Sequence, residues 1–502
     1  MNIKIKFLDI STEPLVLINS EDAVKIGGKD NDRVRIDGRR PVIALLNVSD
    51  FTRPGEAVLS SNLKDKVSAS DGDELNIVYA SSPESVRSIR KKMDKERLSK
   101  DEIEMIVTDI LENRLSKIEI SAWLTALYIN GMDIEEIADF TVAMVDTGDR
   151  VEFDRPQVFD FHSMGGVPGN KITPIVVSIA AAAGLMLPKT SSRAISSACG
   201  TSDFVETFCD VEMDAATLKR ISEEVGGVMA WGGAMNLAPV DDLVIKVEHP
   251  LGINPRAQML ASILSKKLAI GATHLVLDIP TGAGTKVPTI EVARAYARDF
   301  MDLGEKLNIH IECAITYADQ PVGNAIGPKL EARECIRILE GEKHPSSVIE
   351  KACDLAGIIL EMGGFPNGSE KAREILDSGA AMKKFREMVA AQKGSYDISS
   401  KDLVPGEFTA EITSAKSGYV HTISNKDLVA IAMAAGSPSD KGAGLILMRK
   451  KGQRVEKGDV LFEIYGDSKA KVDRAKELAV KYKPFDIEGM LLKRITATPR
   501  TR

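Results

Sequence analysis

The chain has 502 residues, 44% hydrophobic and 27% charged, which is enough for three or four domains with buried cores. Its formal net charge of -8 argues against a nucleic-acid binder, yet leaves room for a local basic pocket around a small anion. Five cysteines (Cys199, Cys209, Cys313, Cys335, Cys353), an odd number without paired spacing, argue against a disulfide framework or zinc site and for a reducing compartment.

The first six residues alternate like a strand and lack a signal-peptide core, so a cytoplasmic protein is expected. Residues 1–84 read as a β-rich domain: apolar-alternating runs at 3–8, 34–36, 42–48 and 75–78 lie between turn signals such as Gly27-Gly28, Asp37-Gly38 and Pro54-Gly55. After Ser81-Ser82-Pro83 the period becomes helical, and 85–157 is a helical domain completed by part of the later chain. Its helices are expected over 85–95, 99–113, 117–130 and 133–146, capped at Ser99 and Asp133.

Residues 158–407 alternate strands (158–161, 228–230, 275–279, 309–315) with helices (254–268, 290–308) before a helical return. This pattern predicts a mainly parallel sheet covered by helices, the catalytic domain. The apolar stretch 172–187 is too short for a membrane span and reads as a buried helix. Residues 408–502 form an α+β C-terminal domain, making the fold class multidomain α/β.

Two loops dominate the chemistry. The first runs His162-Ser163-Met164-Gly165-Gly166-Val167-Pro168-Gly169-Asn170-Lys171, and the second runs from Lys189 to Asp203 with five hydroxyl residues around Arg193. Each is read as a loop running into a helix, where glycine N–H groups and a helix N-terminus favour an oxyanion. Neither is a Walker A loop or a dinucleotide fingerprint. Two anion sites suggest a phosphate-bearing substrate and a second phosphate that reacts with it.

The stretch Lys189 to Glu206 resembles the signature of the pyrimidine-nucleoside (thymidine) phosphorylases and of anthranilate phosphoribosyltransferase. The loop from Phe161 to Val167, the stretch from Leu260 to Lys267 and the loop from Asp278 to Gly284 are similar to further parts of that family. That resemblance covers roughly residues 87–482, and the β-rich extension before it makes the chain similar to the archaeal AMP phosphorylase branch.

The resemblance implies phosphorolysis of AMP, and of CMP and UMP, to free base and ribose 1,5-bisphosphate, with inorganic phosphate as co-substrate and no cofactor or metal. It implies substrate contacts from Gly166, Ser192, Arg193, Ala194, Ile195, Ser196, Ser197, Thr201, Ser262 and Lys266, and a cleft that closes over the substrate. His162 is a candidate acid or base-edge contact. Where family members carry a lysine before the loop histidine, this chain has Phe161. Lys286 is then a candidate for gripping a 5′-phosphate.

Where the branch places an aspartate as proton donor to the base, this chain has Asn254, whose amide cannot serve as an acid. Asp241-Asp242 reads as a surface-loop pair, with magnesium as the functional alternative. The stretch 450–462 looks like a biotinyl/lipoyl-type hairpin without the modified lysine. Expected partners are a nucleoside monophosphate and phosphate, with no nucleic acid or membrane, and a homodimer building larger homo-oligomers. The alternatives are a pyrimidine-nucleoside phosphorylase, a phosphoribosyltransferase, and a non-catalytic assembly protein with a degenerate site.

Overall fold

The computed structural model describes residues 1–10, 14–39, 41–194, 197–491 and 494. It divides into two compact units, one of residues 1–148 and 238–265, the other of 149–237 and 266–502.

In the first unit, strands Asn2–Leu8, Leu15–Ile18, Arg33–Asp37, Pro41–Val48, Glu56–Ser60 and Glu74–Ala80 close into a barrel. Asn2–Leu8 runs parallel to Glu56–Ser60 and antiparallel to Glu74–Ala80, completing the ring. Alternation puts Ile3, Ile5, Val34, Ile36, Leu46 and Ile77 inside. Two helices not expected in this β-rich region, Ser20–Ile26 and Lys64–Val67, join the strands. Asn19 caps the former by accepting from Glu21 N–H, and Gly27 ends it at φ 75°. The Gly27-Gly28 pair, which reads as a turn between strands, is therefore a helix C-cap.

Helices Ser85–Met93, Lys100–Leu111, Lys117–Asn130 and Ile134–Val145 follow. Ser99, Ser116 and Asp133 form reciprocal capping boxes with Glu102, Glu119 and Glu136, which fixes three of the starts. Trp123 meets Phe140 edge to face in their core, at 5.8 Å between ring centroids. A further helix, Pro239–Leu251, adds Val240, Val244 and Val247 to this core. Prolines at positions 239 and 250 hide it from a periodicity reading. Asp241-Asp242 accordingly sits in a first helical turn, not a surface loop, and Asp241 is fully buried.

In the second unit, Phe159–Ser163 and His310–Tyr317 flank His274–Thr281 in a parallel sheet, and Leu187–Ser191 pairs in parallel with Gly227–Trp231. The helix expected over 172–187 spans Thr173–Ala182, after which the chain turns and Leu187 opens a strand. C-terminally, Ala325–Ile326, Gly444–Leu447, Val460–Gly466 and Phe408–Thr413 form one antiparallel sheet. Gly418–Ile423 lies between Arg454–Val455 and Phe485–Glu488 in another. Helices Asn425–Ala434 and Lys469–Tyr482 share their core.

Among the described residues no helix is long and apolar enough to cross a membrane. All five cysteines are free. Burial pushes the Cys313 thiol up to about 12, that of Cys353 to about 11, and Cys199 well above its usual range.

Candidate active site

Three strands of the second unit, two from the three-stranded parallel sheet and one from the separate parallel pair, lead into the three loops singled out by sequence. Phe159–Ser163 leads to the first glycine loop, Leu187–Ser191 to the serine-rich loop, and His274–Thr281 to the loop carrying Lys286. Ligands of open α/β sheets bind beyond such carboxyl ends. Two of these loops touch: Gly166 adopts φ 88°, and a Cβ placed there would lie 2.8 Å from the backbone nitrogen of Lys286. Gly166 and Lys286 are thus brought together by a backbone approach that only glycine permits.

Beneath the first loop lies a charge cluster absent from the sequence reading. Asp160 and His162 alternate onto one face of their strand. Asp160 is fully buried, and its carboxylate meets Lys267 Nζ at 2.6 Å and Lys189 Nζ at 3.7 Å. Lys189 also donates to the Thr190 carbonyl (2.5 Å) and lies 5.3 Å from the centre of the Phe161 ring. Burial, followed by the charge of Lys267, pushes Lys189 down to about 7.

Burial and the charges of Lys267, Lys189, Lys286 and Lys266 hold His162 well below its usual range. The imidazole is therefore neutral near pH 7, which leaves it a hydrogen-bonding role and removes it as a ready acid. Four lysines around a neutral histidine, two of them sharing one carboxylate, make an electropositive basin suited to phosphate. A buried aspartate between two phenylalanines in a strand was the signal for this cluster, because such a residue needs a buried cation.

Lys189 carries a pH prediction. It titrates near 10.5 when unfolded and about 7 when folded, so across that window the unfolded chain binds the extra proton. Its contribution to stability is therefore flat below about 7 and rises with pH toward about 10. Unfolding of wild type and Lys189→Met, followed from about pH 6 to 10, is expected to show wild type gaining on the variant above neutrality. Parallel curves would rule out a buried titrating lysine.

The serine-rich loop departs from the expected loop-then-helix anion site. Its helix, Thr201–Val205, is only five residues long, and Ala194 N–H and Gly200 N–H both donate to Asp203 (2.7 and 2.8 Å). The Asp203 carboxylate thus ties Ala194 to Gly200. Arg193 is likewise committed, with its guanidinium 2.7 Å from Glu206, 2.8 Å from Glu212 and 4.3 Å from the centre of the Trp231 ring. These contacts hold the guanidinium in place beside the loop. Ser192 is exposed, and Ser197 Oγ donates to the Cys199 carbonyl (3.3 Å). Thr201 is half-buried at the start of the short helix. Ile195 and Ser196 lie outside the described residues.

Lys171 is fully buried against Glu334 (2.7 Å) and the Val322 carbonyl (3.0 Å), which makes it part of the core. Asp278 pairs with Lys351 at 2.8 Å and accepts from Thr316.

Asn254 and Ser262 belong to the first unit. Asn254 is exposed just before helix Arg256–Ala269, with Nδ2 3.6 Å from Met259 Sδ. Ser262 Oγ donates to Asp241 at 2.8 Å, and Gln258 donates to the same carboxylate at 3.0 Å. Lys266 lies one turn beyond Ser262 and is half-buried. Among the described residues no group of three or more His, Cys, Asp or Glu could hold a metal.

The helical and α/β parts of the chain each match a domain model of one enzyme family. The helical-bundle domain of the glycosyl transferase family matches residues 86–148, and its α/β domain matches 155–382. The pyrimidine nucleoside phosphorylase C-terminal domain matches 419–485. The chain is 49% identical to the AMP phosphorylase of Thermococcus kodakarensis over 500 residues, covering 99% of each chain. It is 46% identical to that of Methanococcoides burtonii with the same coverage. The chain belongs to the AMP phosphorylase family. Anthranilate phosphoribosyltransferase from Thermus thermophilus matches its fold with a TM-score of 0.52 at 22% identity, over 61% of this chain and 99% of that one.

Proposed function

We propose that the chain catalyses phosphorolysis of AMP: phosphate attacks C1′ of the ribose, the C1′–N bond breaks, and adenine and ribose 1,5-bisphosphate leave. The observation that carries this reading is the near-half identity to AMP phosphorylases along 99% of both chains. The electropositive basin supports it physically. An oxocarbenium-like transition state is favoured by a fixed anionic nucleophile, and lysines around a neutral histidine can hold that nucleophile without a metal.

In this reading Gly166 and its neighbours offer backbone N–H groups, and Lys286 grips the 5′-phosphate. Ser192, Ser196, Ser197 and Thr201 supply hydroxyls near sugar and phosphate. Ser262, held by Asp241, and Lys266 approach the nucleoside. His162 contributes a neutral hydrogen bond. CMP and UMP are further substrates of the same site, and the protein works in the cytoplasm as a homo-oligomer.

The test incubates the protein with phosphate and either AMP, adenosine or thymidine, and identifies the sugar product. Ribose 1,5-bisphosphate from AMP alone is expected; deoxyribose 1-phosphate from thymidine would favour a pyrimidine-nucleoside phosphorylase. Because water competes poorly with bound phosphate in a closed site, adenine release from AMP in phosphate-free buffer is expected to be negligible. Comparable release without phosphate would make the protein a hydrolase.

A further inference from the structure

The loop carrying Lys286 is braced from within. Thr285 Oγ1 lies 2.8 Å from the carbonyls of both Gly282 and Val287 and donates its one proton to either, and Gly282 N–H donates to the Val287 carbonyl at 3.1 Å. One brace comes from outside the loop. The Ala283 N–H donates to Asp319 Oδ1 at 2.7 Å, and a Cβ on Gly282 would lie 2.6 Å from that same oxygen. Asp319 therefore braces the loop at Gly282 and Ala283, while Gly166 packs against it at Lys286.

Asp319 is itself gripped by the C-terminal domain. Its other oxygen lies 3.5 Å from Lys451 Nζ, and the Lys451 N–H donates to neighbouring Gln320 at 2.9 Å. The adjacent Lys450 donates to the carbonyls of Pro321 (2.5 Å) and Gly323 (2.7 Å). A hairpin turn that reads as a lipoyl-like corner without its modification thus fastens the segment 319–323.

We propose that Asp319 is a positioning residue for the reaction: it fixes the Lys286 loop, is itself fixed by the Lys450-Lys451 turn, and so sets affinity for the nucleotide's 5′-phosphate. This rests on the reading that Lys286 grips that phosphate. A carboxylate accepting a backbone N–H is a strong, charge-assisted contact. Asparagine can still accept from Ala283, whereas alanine and serine cannot reach it. The Lys451 pair is one-third exposed on each side and adds little beyond orientation.

The test measures KM for AMP and for phosphate, kcat, and the inhibition constant of adenosine, which lacks the 5′-phosphate, in the full-length protein. Variants are Asp319→Ala, Asp319→Ser, Asp319→Asn and Lys286→Met. Alanine and serine are expected to raise KM for AMP about tenfold, corresponding to one charge-assisted contact. The other three constants should stay within about twofold, and asparagine should remain near wild type. A rise in KM for AMP with Lys286→Met but not with the Asp319 variants would overturn the proposal alone. No change with Lys286→Met would overturn the Lys286 reading and the proposal with it. An equal loss of AMP, phosphate and adenosine binding would mark Asp319 as a general structural residue, against the proposal.

Discussion

Asp160→Ala is expected to cost about 3–5 kcal/mol of stability, the scale for stripping one partner from a buried ion pair. The variant leaves Lys267 and Lys189, both almost fully buried, facing each other without their shared carboxylate. At the usual unfolding entropy per residue, that corresponds to a fall in melting temperature of roughly 4–7 °C for the second unit. Removing Lys267 as well relieves the surplus charge, so Asp160→Ala/Lys267→Met should recover part of the loss, giving a non-additive cycle with the two single variants. A single Asp160→Ala variant within about 1 kcal/mol of wild type, by denaturant unfolding, would mean the cluster is solvated and not a buried network.

The second large effect concerns the leaving base. Asn254 stands where the family resemblance puts an aspartate, and an amide gives no proton to an adenine anion. The side chain is exposed, with Nδ2 3.6 Å from Met259 Sδ, so the isosteric aspartate fits without disturbing the backbone. Asn254→Asp is expected to raise kcat by about 10²-fold, the lower end of what a positioned general acid supplies. The gain should fade as pH rises and the new carboxyl ionises. Identical kcat for both forms from about pH 5 to 8 would remove position 254 from the acid role and turn attention to a proton from solvent.

How much of this was written in the sequence differs by element. The helix Lys117–Asn130 was legible to the residue because Ser116, Glu119 and Gly131 mark its ends locally. The strand Leu187–Ser191 was hidden, since Leu-Pro-Lys-Thr-Ser neither alternates nor avoids charge. Lys189 is tolerated there only because Asp160, from another strand, meets it. The helix Ser20–Ile26 was missed because its C-cap glycine looks like a hairpin turn.

In the site, the glycine and serine loops were visible as motifs, but their commitments were not. Asp203 accepts from the N–H groups of Ala194 and Gly200, and Glu206 and Glu212 pair with Arg193. Asp319 lies 36 residues from the N–H it accepts. Local sequence reports which groups can bind an anion; only tertiary contacts report which already hold one.

The five separate thiols bear on handling and chemical durability. With Cys313 near 12 and Cys353 near 11, their reactive thiolate at neutral pH is on the order of one part in 10⁴ or less. Such sulfurs are poor targets for alkylation, peroxide and thiol exchange. The chain is thus built to keep its cysteines inert whether its surroundings reduce or oxidise. The odd cysteine count, which pointed to a reducing compartment, therefore says more about packing than about where the protein resides.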